Sequence, residues 1–237
     1  MAAIGNFGNG NDGTLSGFGY VAGSGWAGSN TAANPHALAL DGVNDYVSCG
    51  DKDTFSFTSG ASDLPFSVAA WVWFDPTATG LFPVCSKWTR LDPFDEEYSV
   101  TISSAGLVSL QCLCNGTDNR IRKTSDVSIT KGVWVHVATT YSGSETVTGI
   151  NIYINGLPVA ATGITDGSYV GMVNRTAPLV VGSFLQGAPS RTVYAKGAIN
   201  SLQIYPLELT PEQVAVNYAA GMVWPRNLGQ NWLMFGI

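Results

Sequence analysis

Charge is what this sequence has least of. Lys, Arg, Asp and Glu make up 12% of its 237 residues, about half the share usual in soluble domains. The formal charge is −6. Nucleic-acid binding needs clustered Lys and Arg to neutralise phosphates, so that class is excluded. Attraction to an anionic membrane surface is disfavoured for the same reason. Only two histidines are present, His36 and His136, and neither sits beside the Ser/Asp or Cys/Asn pattern of a catalytic triad. The four cysteines, Cys49, Cys85, Cys112 and Cys114, lack the paired C-x-x-C spacing of a zinc site. Cys112 and Cys114 share one face of a strand and bond poorly, so free, buried thiols are expected ahead of disulfides. The longest apolar run, "VAAWVWF" (68–74), is too short to span a bilayer as a helix, so no membrane insertion is expected. The residues after Met1 lack the basic and apolar regions of an export signal, which predicts a protein outside the standard export route.

Glycine (28 residues) and hydrophobic residues (45%) are plentiful, a composition suited to short strands joined by tight turns around one good core. Residues 5–35 are Gly-, Asn- and Ser-rich with scattered aromatics, and read as loops wrapped over a core with one short edge strand. From residue 37 the pattern is β. "FSVAAWVWF" (66–74) is apolar throughout, as a strand covered on both sides must be. "YSVTIS" and "LVSLQCLC" are joined by "SAG", and "INIYINGLPVAAT" (150–162) places two strands around Asn155-Gly156, the strongest hairpin signal in the chain. One helix is signposted in "LTPEQVAVNYAAG": Thr210 as N-cap, Pro211 at N1, Gln213 completing a capping box and Gly221 as the C′ residue.

An ordered series of segments carries a resemblance. "GNGNDGTLSG" (8–17), "ALALDGVNDYVSCG" (37–50), "FSVAAWV" (66–72), "SKW" (86–88), "YSVTISSAGLVSL" (98–110), "GVWVHVATTYSG" (132–143), "INIYINGLPVAAT", "PLVVGS" (178–183) and "GAINSLQIYPLELTPEQV" (197–214) follow one another in that order. The set resembles the laminin-G-like branch of the concanavalin A-like superfamily, the branch with a D-G-x-x-D-Y strand. That resemblance implies an all-β jelly-roll sandwich of two antiparallel sheets, one of them curved, with one short C-terminal helix. The expected organisation is an N-terminal wrap (1–35), the jelly roll (36–221) and an apolar tail (222–237).

Catalytic relatives of this superfamily carry E-x-D-x-x-E on a strand, because glycoside hydrolysis needs two carboxylates at a defined separation. That motif is absent. The one dense acidic cluster, Asp92, Asp95, Glu96 and Glu97, reads as a solvated loop, so no enzyme and no required cofactor are expected. "DGVNDY" (41–46) gathers oxygen ligands of the kind a hard cation wants. Many relatives hold a structural calcium near this strand with help from a late-strand Asp. Here Asn200 stands at that late position, so Asp41 and Asn200 are the candidate calcium ligands. For glycans, which family modules bind through rim loops or the concave sheet, the stacking candidates are Trp88, Trp73 and Tyr169; Trp71 and Trp134 are assigned to the core.

The tail, "WPRNLGQNWLMFGI" (224–237), is apolar where an untethered terminus is usually polar. Pro225 and Gly229 prevent one long helix, leaving Trp224, Trp232, Leu233 and Phe235 to dock on a partner or on the chain's own sandwich. Two functions are in view. One is a structural module decorating a larger assembly such as a viral (phage) capsid, with capsid or homo-oligomer subunits as partners and the virion surface as its place. The other is an extracellular carbohydrate-binding lectin or adhesion module.

Overall fold

The computed structural model describes residues 12–29, 31, 35–60, 62–89, 95–114, 119–184, 193–222 and the backbone of 233–235. The strands in chain order are β1 (Thr14–Ser16), β2 (Gly25–Ala27), β3 (Ala37–Asp41), β4 (Tyr46–Ser48), β5 (Thr58–Ser59), β6 (Ser62–Asp63) and β7 (Phe66–Phe74). They continue with β8 (Phe82–Thr89), β9 (Asp95–Ile102), β10 (Leu107–Leu113), β11 (Arg120–Ser128), β12 (Trp134–Tyr141), β13 (Ile150–Ile154), β14 (Leu157–Pro158) and β15 (Ala161–Asp166). Last come β16 (Leu179–Val181), β17 (Ser183–Phe184), β18 (Val193–Tyr194), β19 (Lys196–Tyr205), helix α1 (Pro211–Gly221) and β20 (Leu233–Phe235).

Two large sheets form the sandwich. The first runs β1-β4-β16-β8-β9-β10-β11-β15 and the second β14-β13-β12-β7-β19-β3-β2. Alternation along each strand sends every second side chain into the space between them. Phe66, Val68, Ala70, Val72 and Phe74 of β7 meet Tyr98, Val100 and Ile102 of β9 and Val108, Leu110 and Cys112 of β10 in one core. All four cysteines are free and buried, as their spacing suggested.

The outer face of β7 is apolar too because α1 lies on it. Tyr218 stacks on Trp71 (5.5 Å, 21°), and Val214 packs with Ala69, Ala138 and Tyr153. Thr210 accepts from the Gln213 N–H and the Gln213 side chain accepts from the Thr210 N–H, which is the capping box read from the sequence. Gly221 does not terminate the helix in a left-handed turn; it is the last helical residue, and Met222 closes the helix in right-handed geometry.

The Asn155-Gly156 turn has φ of 51° and 78°, the two positive values that a tight hairpin of matching twist requires. Its second strand is short, however. After Pro158 the chain leaves the second sheet, and residues 161–166 become the edge of the first, paired to β11. The Gly/Asn-rich N-terminal region supplies two edges rather than one, β1 on the first sheet and β2 on the second.

β19 is bulged at Asn200–Gln203, with Ser201 at φ 50°. β3 pairs with its first half (196–199) and β20 runs parallel to its second (202–204). Three backbone residues of the tail therefore extend the chain's own sheet.

Replacing Thr210 by Ala removes the hydroxyl that accepts from the Gln213 N–H, leaves the backbone N–H of residue 210 bonded to the Gln213 side chain, and should cost about 1 kcal/mol. A urea unfolding midpoint with an unchanged slope checks this.

Candidate functional site

The acidic cluster is not a solvated loop where it is described. Asp95, Glu96 and Glu97 begin β9, and Glu97 is 0% exposed. The register of β8 against β9 slips between Lys87 and Trp88, so that Lys87 opposes Tyr98 and Trp88 opposes Glu96. Glu97 is the extra residue of this bulge, and a bulge re-aims its side chain. It turns Glu97 toward Lys87, also 0% exposed. Lys87 Nζ reaches Glu97 Oε1 at 3.0 Å and Asp51 Oδ1 at 2.8 Å. It also donates to the carbonyls of Arg175 (2.9 Å) and Ala177 (2.7 Å). Glu97 Oε1 accepts from the Arg175 N–H and the Ser56 hydroxyl as well. Burial pushes the Glu97 carboxyl above the usual range, although Lys87 and these hydrogen bonds pull it back. Asp95 spends both oxygens on Thr176, 3.0 Å from its N–H and 2.6 Å from its hydroxyl. These carboxylates pin the 174–177 segment; Asp92 lies outside the described residues.

Tyr169, a sugar-stacking candidate, is half-buried. Its hydroxyl donates to Asp63 Oδ2 at 2.7 Å, where the Tyr141 hydroxyl also donates at 2.6 Å. Asp63 Oδ1 accepts from the Met172 N–H. Burial raises the Asp63 carboxyl above the usual aspartate range against all three bonds. Trp88, the other candidate, is 6% exposed and packs with Leu113 and Phe184 in a small cluster apart from the main core. Burial leaves the Trp88 ring no free stacking face, and the hydroxyl of Tyr169 is held by Asp63. Trp71 is buried as expected, while Trp73 and Trp134 are half-buried neighbours on the helix side of the second sheet.

The two calcium candidates are not brought together. Asp41 pairs with Lys196, four residues before Asn200 on β19, a separation of about 13 Å at the rise of a strand. Asp41 Oδ1 already accepts from the N–H groups of Val43 and Asn44. The Asn200 amide donates to the His36 carbonyl and accepts from the Ser201 hydroxyl, stitching the bulge to the start of β3. Among the described residues no group of three His, Cys, Asp or Glu is placed to hold a metal. These residues do not fit a calcium site built on Asp41 and Asn200. Of the tail candidates, the Leu233 and Phe235 backbones pair with β19, and Trp224 and Trp232 lie outside the described residues.

Two surfaces remain. The residues of β8–β11 and β15 that alternate with the core ones form the outer face of the first sheet. In register across it run Ser86–Ser99–Gln111–Arg122 and, two residues along, Thr101–Ser109–Thr124–Thr162. Gln111 donates to the Ser99 hydroxyl at 2.9 Å, Ser109 and Thr124 share a hydrogen bond of 3.1 Å, and Arg120 Nε meets Asp166 at 2.8 Å. Gln111, Arg122 and Thr124 are half-exposed and Thr162 is exposed, while Ser86, Ser99, Thr101 and Ser109 are buried beneath them. The second surface is a cleft of about 420 Å³ where the β3–β4 turn, the β7–β8 loop and the β18–β19 connection converge. No sequence signal singled out either surface, because each depends on which strands become neighbours.

The family model described as the concanavalin A-like lectin/glucanases superfamily matches residues 41–215, and the chain belongs to that superfamily. Among curated proteins none matches the chain in sequence. Solved structures share the fold. Domain 4 of AbnA, a GH43 extracellular arabinanase from Geobacillus stearothermophilus, in complex with arabinotriose, aligns with TM-score 0.54 and 22% identity over 90% of this chain and 89% of that one. The CBM40 of the Ruminococcus gnavus IT-sialidase, bound to α2,3 sialyllactose, aligns with TM-score 0.51 and 14% identity over 65% and 82%. The binding domain of botulinum neurotoxin serotype C1 aligns with TM-score 0.54 and 13% identity over 89% of this chain and 48% of that one. At these identities the likeness is one of fold.

Replacing Lys87 by Met leaves Glu97 buried without its cation and should cost about 3–5 kcal/mol. Adding Glu97→Leu should recover part of that loss in a denaturant titration, since the charge left behind dominates the penalty.

Proposed function

We propose that this chain is a non-catalytic carbohydrate-binding module that holds a saccharide against the outer face of its first sheet. The observation that carries the reading is the chemistry of that face. The Gln111 amide, the Arg122 guanidinium and the Thr124 and Thr162 hydroxyls reach the surface on adjacent strands, about 4.8 Å apart, above a buried row of serine and threonine hydroxyls. A polyhydroxylated ligand is recognised by such convergent donors and acceptors. The outer face of the second sheet carries Ala69, Trp71, Ala138 and Tyr153 under a helix, so the two faces differ in kind. Two proteins of the same fold are described with saccharides, arabinotriose and α2,3 sialyllactose, which makes oligosaccharides the class to test first. Action by binding rather than catalysis is supported by Asp95 and Glu97 of β9, which are spent on Thr176 and Lys87. An extracellular place goes with this reading.

The second reading is the jelly roll that decorates an assembly such as a phage capsid, at the virion surface. Its support is the 12% charge content and the apolar tail. The pairing of β20 with β19 favours the first reading, since that part of the tail extends the chain's own sheet.

A glycan array on the full chain should show binding, weakened at least about tenfold by Gln111→Ala combined with Arg122→Ala while the melting temperature holds. A silent array sinks the reading. Deletion of residues 223–237 separates the two: under the first reading the product stays monomeric and still binds glycan, with a lower melting temperature from the loss of β20. Abolition of an oligomer that the full chain forms would favour the second.

A further inference from the structure

We propose that the cleft between the β3–β4 turn, the β7–β8 loop and the β18–β19 connection is a second binding site, taking a single neutral pyranose unit; this rests on reading the chain as a carbohydrate binder. At about 420 Å³ the cleft falls near the lower end of ligand pockets. One wall is apolar: Val193 and Tyr194, with Leu81 nearby. The Tyr194 ring is half-buried and lies against Tyr46, at 6.5 Å between centroids. The other wall carries Thr77, Thr79 and Lys196. A pyranose has one face of C–H groups and a rim of hydroxyls, so a cleft lined by an aromatic ring together with an ammonium and hydroxyls suits it.

The donors are held in place. Lys196 Nζ donates to the Thr77 hydroxyl at 2.7 Å, and that hydroxyl donates to Asp75 Oδ1 at 2.6 Å. An ammonium has three donors; the other two of Lys196 have no partner among the described residues. Lys131 braces the floor from behind, donating to the Ala78 carbonyl at 2.7 Å with its ammonium over the Phe74 ring. Lys196 is the charged side chain among the described residues that line the cleft, and through the Thr77 hydroxyl it is linked to the Asp75 carboxylate. One cation linked to one anion leaves no net charge there, so the site suits a neutral sugar over an anionic one.

The mouth is kept open at Gly80, where an added Cβ would meet nothing within 4 Å and where φ is not positive. A large side chain there is accommodated by the backbone and fills the cleft. The test is an amide NMR titration of the full chain with the methyl glycosides of glucose, galactose, mannose and N-acetylglucosamine. At least one should shift residues 77–81 and 193–196, and Gly80→Trp should weaken that response at least tenfold with an unchanged melting temperature. Thr79→Trp, placed at an exposed position, gives the same blockage should Gly80→Trp misfold. Shifts confined to β9–β11, or oligosaccharide binding with no response in the cleft, overturn this site and leave the carbohydrate reading standing. Silence toward both the glycosides and the array overturns both.

Discussion

The structure depends on one constraint: two sheets must bury one face each against the other. Side chains alternate along a strand, so burying one face decides where every second residue goes. Phe66 to Phe74 of β7 and Tyr98 to Ile102 of β9 obey it, and together fill the centre of the core. The same rule fixes the chemistry of what is left. On the second sheet the remaining positions are Ala69, Trp71 and Ala138, which demand a cover, and the capped helix α1 supplies it. On the first they are the half-exposed Gln111, Arg122 and Thr124 and the buried Ser99, Thr101 and Ser109, which are polar and hydrogen-bond among themselves. The polar face is thus a direct consequence of which strands need a helix and which do not.

Where the alternation breaks, charge enters the interior. The β9 bulge at Glu97 is tolerated because Lys87 meets it, and both share the task of holding the 174–177 backbone. Buried ion pairs contribute little net stability, yet removing one partner costs several kcal/mol. Asp63 plays a similar part without a cation, accepting two tyrosine hydroxyls and the Met172 N–H. Both clusters anchor segments that connect strands, which places polar order at the ends of the sandwich and apolar order at its middle.

Much of this fold was legible in the residues. The jelly roll, the Asn155-Gly156 hairpin, the fully covered strand at 66–74 and the Thr210–Gln213 cap follow from local patterns whose physics is local. The sites were not legible, because they form between residues far apart in sequence. Lys87 and Glu97 meet through a register slip that no periodicity displays, although a lone lysine in the apolar "FPVCSKWT" was a signal worth weighing. Asp41 and Asn200 looked like partners by family pattern, but strand register sets them four residues apart. Trp88 was chosen as an aromatic, and packing with Leu113 and Phe184 buries it, while the hydroxyl of Tyr169 is held by Asp63. Residues 161–166 continued a hairpin in sequence and crossed to the other sheet in space.

On the proposed function, the polar outer face of the first sheet, not the helix-covered face of the second, receives the ligand. Hydrogen–deuterium exchange of the full chain with and without arabinotriose or α2,3-sialyllactose tests it most directly. The account predicts slower exchange in β9–β11, at residues 99–101, 109–111 and 122–124, with α1 and β12 unchanged. Protection confined to α1, β12 or β19, or none with either saccharide, would contradict it.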